Sequence, residues 1–168
     1  MRIYTSIKSA IILILLFLLI SCKEEKNKVQ ETNDPKRNET EARTTLQKLL
    51  MSIENKDLES LKTTMPPTGK MELIIPGRAI TYTVDEFVEL HQNWFKDTTW
   101  TMQTNILNLK ADQNIAFATT DAMYKEPERN GNPYFNHMVV SYVLEKIDHK
   151  WYVIKDHACS LKKSTDKL

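Results

Sequence analysis

The apolar positions of the chain first follow a helical period. On one face of a first helix, at i, i+4, i+7, i+8 and i+11, lie Ala42, Leu46, Leu49, Leu50 and Ile53. We expect this helix to end near Asn55 and Lys56. Asp57 is placed to cap a short second helix. That helix would stop at Pro66 and carry Leu58, Leu61 and Met65 on its apolar side.

A third helix is predicted from residue 83 onward. Thr83 and Glu86 have the spacing of a capping box, in which each side chain bonds the backbone N–H of the other residue. The positions that then follow at i, i+3, i+4 and i+7 are Phe87, Leu90, His91 and Trp94. These four side chains should face the sheet.

The pattern changes to alternation after Asp97, where β-branched and aromatic residues alternate with polar ones. We predict strands at about 98–110, 115–125, 134–147 and 150–159, joined by hairpins, and a short earlier strand at 70–75. Helices followed by consecutive strands indicate an α+β domain with an antiparallel sheet and helices on one face.

The predicted strand 134–147 is apolar on both faces. Val139 and Val143 lie on one face, and the other carries Met138, Val140, Tyr142 and Leu144. A sheet that is covered by helices on one side should be polar on the other. The second apolar face therefore predicts a homodimer packed sheet to sheet.

The amino-terminal segment has the pattern of an export signal. Arg2 and Lys8 precede an apolar run of about 11 residues, from Ala10 to Ile20, whereas a membrane-spanning helix needs roughly 20. Ser21 and Cys22 complete a sequence that resembles the lipobox of bacterial lipoproteins. We expect cleavage after residue 21 and lipid attachment to Cys22, which would anchor the protein to a membrane without spanning it.

The predicted organisation is a signal peptide at 1–21, a flexible tether at 22–39, one domain at 40–162 and a tail at 163–168. The tether is charged and almost free of apolar residues. Without residues 1–21 the chain carries 21 basic against 22 acidic side chains, a balance that argues against nucleic acid as a partner. Because Cys22 would be lipidated, Cys159 has no disulfide partner in the chain.

Three segments carry a family resemblance: a helix-turn-helix opening at 54–61, a strand with Ala116 and Ala118 after a polar turn, and a closing hairpin at 143–159 with Trp151 and His157. Together they resemble the SnoaL-like branch of the nuclear transport factor 2-like superfamily. The resemblance implies a cone, in which a curved antiparallel sheet wraps around three helices and encloses a pocket. It also implies dimers that form through the sheet. Cys159 departs from the serine that is usual at its position.

The resemblance and the apolar face of the third helix suggest which residues line the pocket. The candidates are Phe87, Leu90, His91, Trp94, Asp121, Tyr124, His137 and His157. Strict alternation would place His157 on the face of Trp151 and Val153 and Asp156 on the opposite face, which excludes an Asp156–His157 dyad. For His91 a hydrogen-bonded core position competes with a ligand role, and for Asp121 exposure on the convex face competes with a place in the pocket.

No motif of a specific chemistry is present. The chain has three glycines, no glycine-rich phosphate loop, no G-x-S-x-G elbow and no H-E-x-x-H sequence, and we predict neither a cofactor nor a metal. The favoured hypothesis is that the domain binds a small apolar ligand or a protein partner without catalysis. The alternative is isomerase-, cyclase- or hydrolase-like chemistry in the same pocket.

The expected location is the bacterial cell envelope. Lys23, Glu24 and Glu25 directly after Cys22 resemble a short export signal of surface lipoproteins in Bacteroidota. We therefore expect attachment to the outer membrane, with exposure at the cell surface as one of its two possible orientations.

The lipobox generates a direct prediction. Cys22→Ser should leave an unprocessed precursor that incorporates no labelled fatty acid, because the acceptor thiol is lost. Cys159→Ser is the matched control and should be labelled like the wild type. Labelling of the Cys22→Ser protein would contradict the lipoprotein assignment.

Overall fold

The computed structural model describes residues 34–67, 69–75 and 79–166. The predicted signal peptide, Cys22, the tether up to residue 33 and the last two residues lie outside these ranges. Within them the chain forms α1 Pro35–Asn55, α2 Leu58–Lys62, β1 Lys70–Ile75, β2 Ala79–Thr83, α3 Val84–Trp94, β3 Thr101–Ala111, β4 Ile115–Arg129, β5 Asn132–Ile147 and β6 Lys150–Lys163. No helix of this part of the chain is long and apolar enough to cross a membrane.

Helix α1 begins earlier than the apolar pattern predicted. Asp34 caps it by accepting hydrogen bonds from the backbone N–H groups of Lys36 and Arg37, and Pro35 occupies the first helical position. The predicted tether is therefore wrong for residues 35–39. The apolar pattern did not predict the first turn because the one buried residue of that turn, Asn38, is polar. The Oδ1 atom of Asn38 accepts a hydrogen bond of 3.1 Å from Lys146 Nζ.

The other helix limits agree with the sequence prediction, except for the end of α2. Lys56 ends α1 in the left-handed conformation, and Asp57 caps α2 by accepting a hydrogen bond from Ser60 N. Helix α2 is shorter than expected, so Met65 is buried after its end. The capping box of α3 is formed on both sides by Thr83 and Glu86.

Six strands of the described chain form one curved, unclosed sheet in the order β2-β1-β6-β5-β4-β3. All neighbours are antiparallel except β1 and β6, which run parallel. Strand β2 was not predicted, because it is a five-residue edge strand whose Ile80 and Tyr82 are exposed. The α+β class, the helices on one face and the largely antiparallel sheet agree with the sequence analysis.

Strand β6 contains two extra residues relative to β5. Leu144 pairs with Val153 while Val143 pairs with Lys155, so Ile154 has no counterpart, and Leu161 is skipped in the same way farther along. Each such β-bulge reverses the alternation of side chains that follows it. The bulge at Ile154 is the reason that the predicted grouping of His157 with Trp151 and Val153 is wrong.

The helices cover one face of the sheet. We call the face that carries Ala122, Val140 and Ala158 the helix-side face, and the opposite one the outer face. Helix α1 packs on β3 and β6, and α3 packs on β1 and β2. Three small buried residues of β4 on the helix-side face let the helices approach closely, namely Ala116, Ala118 and Ala122.

The carboxyl-terminal limit of the domain also differs from the prediction. Strand β6 continues to Lys163, and the backbone N–H of Ser164 donates a hydrogen bond of 3.1 Å to the carbonyl oxygen of Phe135. Lys163 therefore belongs to the sheet rather than to a free tail, and Ser164 is hydrogen-bonded to the sheet.

Candidate functional site

A cavity of about 570 Å³ lies between the helices and the helix-side face. Residues of α1, α3 and every described strand except β2 line it. The wall is mainly apolar and includes Leu50, Ile53, Leu73, Leu90, Met138 and Val140. Cavities of roughly 300–1,000 Å³ with few polar groups are typical of small-molecule sites.

Asp156 is the principal polar group of the buried part of the cavity. The bulge at Ile154 turns it to the helix-side face, where it lies directly opposite Tyr142 of β5. Only 6% of Asp156 is exposed. No group in the described part of the chain forms a hydrogen bond with its carboxyl group, whereas a buried carboxylate is normally paired or hydrogen-bonded.

The electrostatic effect of this burial is large. Burial raises the pKa of Asp156 to about 7, because water no longer stabilises the charged form. Burial, with the nearby Asp156 carboxylate, also raises the pKa of Tyr142 well above its ordinary value. The buried end of the cavity therefore holds a neutral phenol and a carboxyl group that exchanges its proton near neutral pH.

His91 of α3 lines the same cavity in a fixed, uncharged state. Its Nδ1 lies 2.9 Å from the carbonyl oxygen of Phe87, so Nδ1–H donates that bond and Nε2 carries the lone pair. Burial lowers the pKa of His91 to about 4, which keeps the ring neutral at physiological pH. The structure thus places His91 as a buried, hydrogen-bonded histidine that also lines the cavity.

The other end of the cavity is bounded by a chain of polar and aromatic side chains. Tyr124 donates a hydrogen bond of 2.6 Å to Glu126 Oε1, and Arg129 forms two hydrogen bonds with the same carboxylate. These bonds hold the pKa of Glu126 below its usual value, chiefly through Arg129. The Arg129 guanidinium also lies over the ring of Tyr134, at 3.4 Å from the ring centroid.

Asn136 and Lys163 lie opposite each other at this same end. The Oδ1 atom of Asn136 is buried without a hydrogen-bond partner. The Arg129 side chain is 29% exposed, which marks this end as the open one.

The structure divides the predicted pocket residues into two groups. Leu90, His91, Trp94 and Tyr124 line the cavity, while Phe87 is fully buried behind it. Asp121, His137 and His157 do not line it, because each neighbours a helix-side residue in its strand and therefore points to the outer face. Their assignment to the pocket is wrong.

Asp121 and His137 nevertheless contact each other on the outer face. His137 Nε2 lies 2.6 Å from Asp121 Oδ1, and both side chains are partly exposed. This pair lies away from His91 and from the cavity. Within the described ranges no three His, Cys, Asp or Glu side chains are placed to hold a metal ion.

The most important residue that sequence reasoning left out of the predicted pocket is Asp156. Alternation along β6 placed it away from Trp151 and Val153, and nothing in the residues 150–163 marks a bulge. The one available signal was chemical: a carboxylate within a strand, with the apolar residues Ile154 and Ala158 two positions away on either side.

The sequence matches the family model described as "SnoaL-like domain" over residues 42–161. No curated protein matches the chain significantly. Two solved structures from bacteria have the same fold with a TM-score of 0.64. A ketosteroid isomerase-like protein from Erwinia carotovora atroseptica is 16% identical, over 74% of this chain and 97% of its own. A nuclear transport factor 2-like superfamily protein from Salmonella enterica is 18% identical, over 77% and 94%.

A nuclear transport factor 2-like protein of unknown function from Shewanella oneidensis has a TM-score of 0.59 at 17% identity, with coverage of 71% and 96%. At such identities these likenesses establish the fold and not the activity.

The raised pKa of Asp156 predicts a specific pH dependence of stability. The unfolded carboxyl group has a pKa of about 3.9. The contribution of the Asp156 carboxyl group to the free energy of unfolding is therefore fully present below about pH 4. It is lost as the pH rises through about 7, where the folded protein also gives up the proton. In urea denaturation, Asp156→Asn should gain stability relative to the wild type between about pH 4 and about pH 8, by a few kcal/mol.

Glu89→Gln is the control for this experiment, because Glu89 is exposed on α3. It should follow the wild-type pH profile. A constant difference between Asp156→Asn and the wild type across this range would show that Asp156 is not desolvated in solution.

Proposed function

Because the chain belongs to the SnoaL-like domain family of the nuclear transport factor 2-like superfamily, we propose that its domain binds a small, mainly apolar molecule in the cone. The observation that carries this proposal is the cavity of about 570 Å³ with its apolar wall. This volume exceeds the lower limit of roughly 300 Å³ for ligand sites. If the same helix residues instead formed a closed core without a cavity, binding of a protein partner would be the remaining non-catalytic function.

The polar groups of the cavity support binding more directly than turnover. His91 is held by Phe87 and is neutral, and Tyr124 and Arg129 are both bound to Glu126. Proton-transfer catalysis needs at least two polar groups within about 2.6–3.2 Å of one reacting atom. Of the cavity side chains, Asp156 is the one whose carboxyl group is left to interact with a bound molecule.

We further propose that the protein acts at the bacterial cell envelope, anchored through lipid on Cys22, in the outer membrane. The support is the sequence pattern of residues 1–25. Helix α1 starts at Pro35, so twelve residues, 23–34, separate Cys22 from the first helix of the domain. A ligand-binding domain on a lipid tether could take up apolar molecules close to the membrane.

One observation favours an enzyme as a second candidate. A desolvated carboxyl group with a pKa of about 7 is suited to act as a general base at neutral pH. One of the similar folds is that of a ketosteroid isomerase-like protein. An isomerase-, cyclase- or hydrolase-like activity would require the Asp156 carboxylate, so turnover of a bound molecule that disappears in Asp156→Asn would favour this candidate.

The outer face of the sheet supports a homodimer. Phe117 is 60% exposed and pairs with Val143, and Val139 lies on the same face. Ser141 and Thr119 lie between these residues, and apolar side chains grouped on one polar-rimmed face are found at interfaces. We propose that two copies pack through it and bury about 1,200–2,000 Å² in total.

The cavity predicts the effect of filling it. Ala158→Phe should abolish the thermal shifts that small apolar molecules cause in the wild-type protein, because the ring would occupy the space between β6 and α3. Cys159→Phe is the matched control, since Cys159 lies next to Ala158 in β6 but points to the outer face. It should keep those shifts. Circular dichroism checks that both variants fold, and equal binding by both would contradict a site in the cone.

The dimer predicts a change in mass. Light scattering at micromolar concentration should give a dimer for the wild type and a monomer for Phe117→Asp, because the substitution places a charge in the apolar interface. Met51→Asp is the control, since Met51 is equally exposed but lies on α1. A monomeric wild type would contradict the proposal.

A further inference from the structure

The buried end of the cavity distinguishes between chemical classes of ligand. Asp156 is more than nine-tenths buried and lines the cavity, and no hydrogen-bond donor in the described part of the chain contacts its carboxyl group. A buried acceptor without a donor is costly, and a binding partner that supplies one removes that cost. Resting on the proposed binding function, we infer that the ligand is an elongated, mainly apolar molecule that donates a hydrogen bond to Asp156 from its buried end, as an alcohol or a protonated amine does.

The elongated shape follows from the positions of the polar groups. Asp156 and Tyr142 lie at one end, and Asn136 lies six residues away along β5 at the other. At about 3.3 Å per residue this separation is at most about 20 Å along the strand. Met138, Val140 and Ala158 line the space between them, with Ser160 as a polar exception, so the middle of the ligand should be mainly apolar.

The charges fix the direction in which the ligand enters. Arg129 and Lys163 lie at the open end, whereas among the described residues Asp156 is the one carboxyl group that lines the cavity. An anionic head group would be repelled by the Asp156 carboxylate and attracted to the open end. A donor head group, and above all a cationic one, is favoured at Asp156.

Four probes of equal chain length test this inference on the full-length protein, below the concentrations at which they form micelles. They are decan-1-ol and decylamine, which donate hydrogen bonds, decyl methyl ether, which only accepts them, and decanoate, which is an anion. Binding is followed by the fluorescence of Trp94, which lines the cavity. At about pH 8, where Asp156 is charged and can only accept hydrogen bonds, we expect the alcohol and the amine to bind at least about tenfold more tightly than the ether and decanoate, as one charge-assisted hydrogen bond implies.

Two variants test whether Asp156 causes the preference for hydrogen-bond donors. Asp156→Leu should reduce the affinity for the alcohol and the amine to that for the ether, while the ether should bind as it does to the wild type. Asp156→Asn keeps a polar side chain of the same shape and should lose the preference for the amine over the alcohol. This second variant preserves the test if the first does not fold. Amine binding to the wild type should also tighten as the pH rises through about 7, where Asp156 becomes charged.

The outcomes separate this inference from the proposed function. If no probe binds to the wild type, both fail. If all four bind equally well and neither variant changes this, the cone binds apolar molecules but the donor requirement is wrong. Tightest binding of decanoate, unaffected by either variant, would overturn the inference by placing the head group at the open end.

Discussion

The pairing of β6 with β5 determines which side chains reach the interior of this domain. Ordinary alternation would place Val153 and Asp156 on opposite faces. The extra residue Ile154 shifts the register by one, so both face the helices. The second bulge at Leu161 reverses the alternation again, so Lys163 faces the helices as Ser160 does. The position of each polar group along the β6 wall of the cavity thus depends on two residues that have no partner in β5.

This arrangement has an energetic consequence. An apolar residue opposite Tyr142 would complete an ordinary core, whereas a carboxyl group in that position loses its hydration without gaining a hydrogen bond. The raised pKa of Asp156 expresses this cost, because the group avoids it only by remaining protonated. Polar groups held in such unfavourable states are characteristic of functional sites. By contrast His91 gains a bond to Phe87, and Tyr124 gains one to Glu126.

Local signals were sufficient to predict most of the fold. The capping box at Thr83 and the cap at Asp57 were correct because capping depends on neighbours in sequence. The apolar face of α3 placed Leu90, His91 and Trp94 at the cavity for the same reason. Bulges arise from the matching of two long strands, so alternation within one strand could not reveal that Asp156 faces the interior. The start of α1 was missed because its anchor, Asn38, is polar and bonds Lys146 far along the chain.

The two ends of the cavity are therefore built on different principles. At the open end, charged and aromatic side chains satisfy one another: Glu126 binds both Tyr124 and Arg129, and Arg129 covers Tyr134. Such a network is rigid, and its groups need no hydrogen bond from a ligand. Asp156 at the buried end has no such partner, and because it is a carboxyl group it should contribute more to the difference in binding free energy between ligands than the unpartnered, neutral Asn136 Oδ1 atom at the open end. Recognition by shape along the wall and by one hydrogen bond at its end is sufficient to make a largely apolar pocket selective.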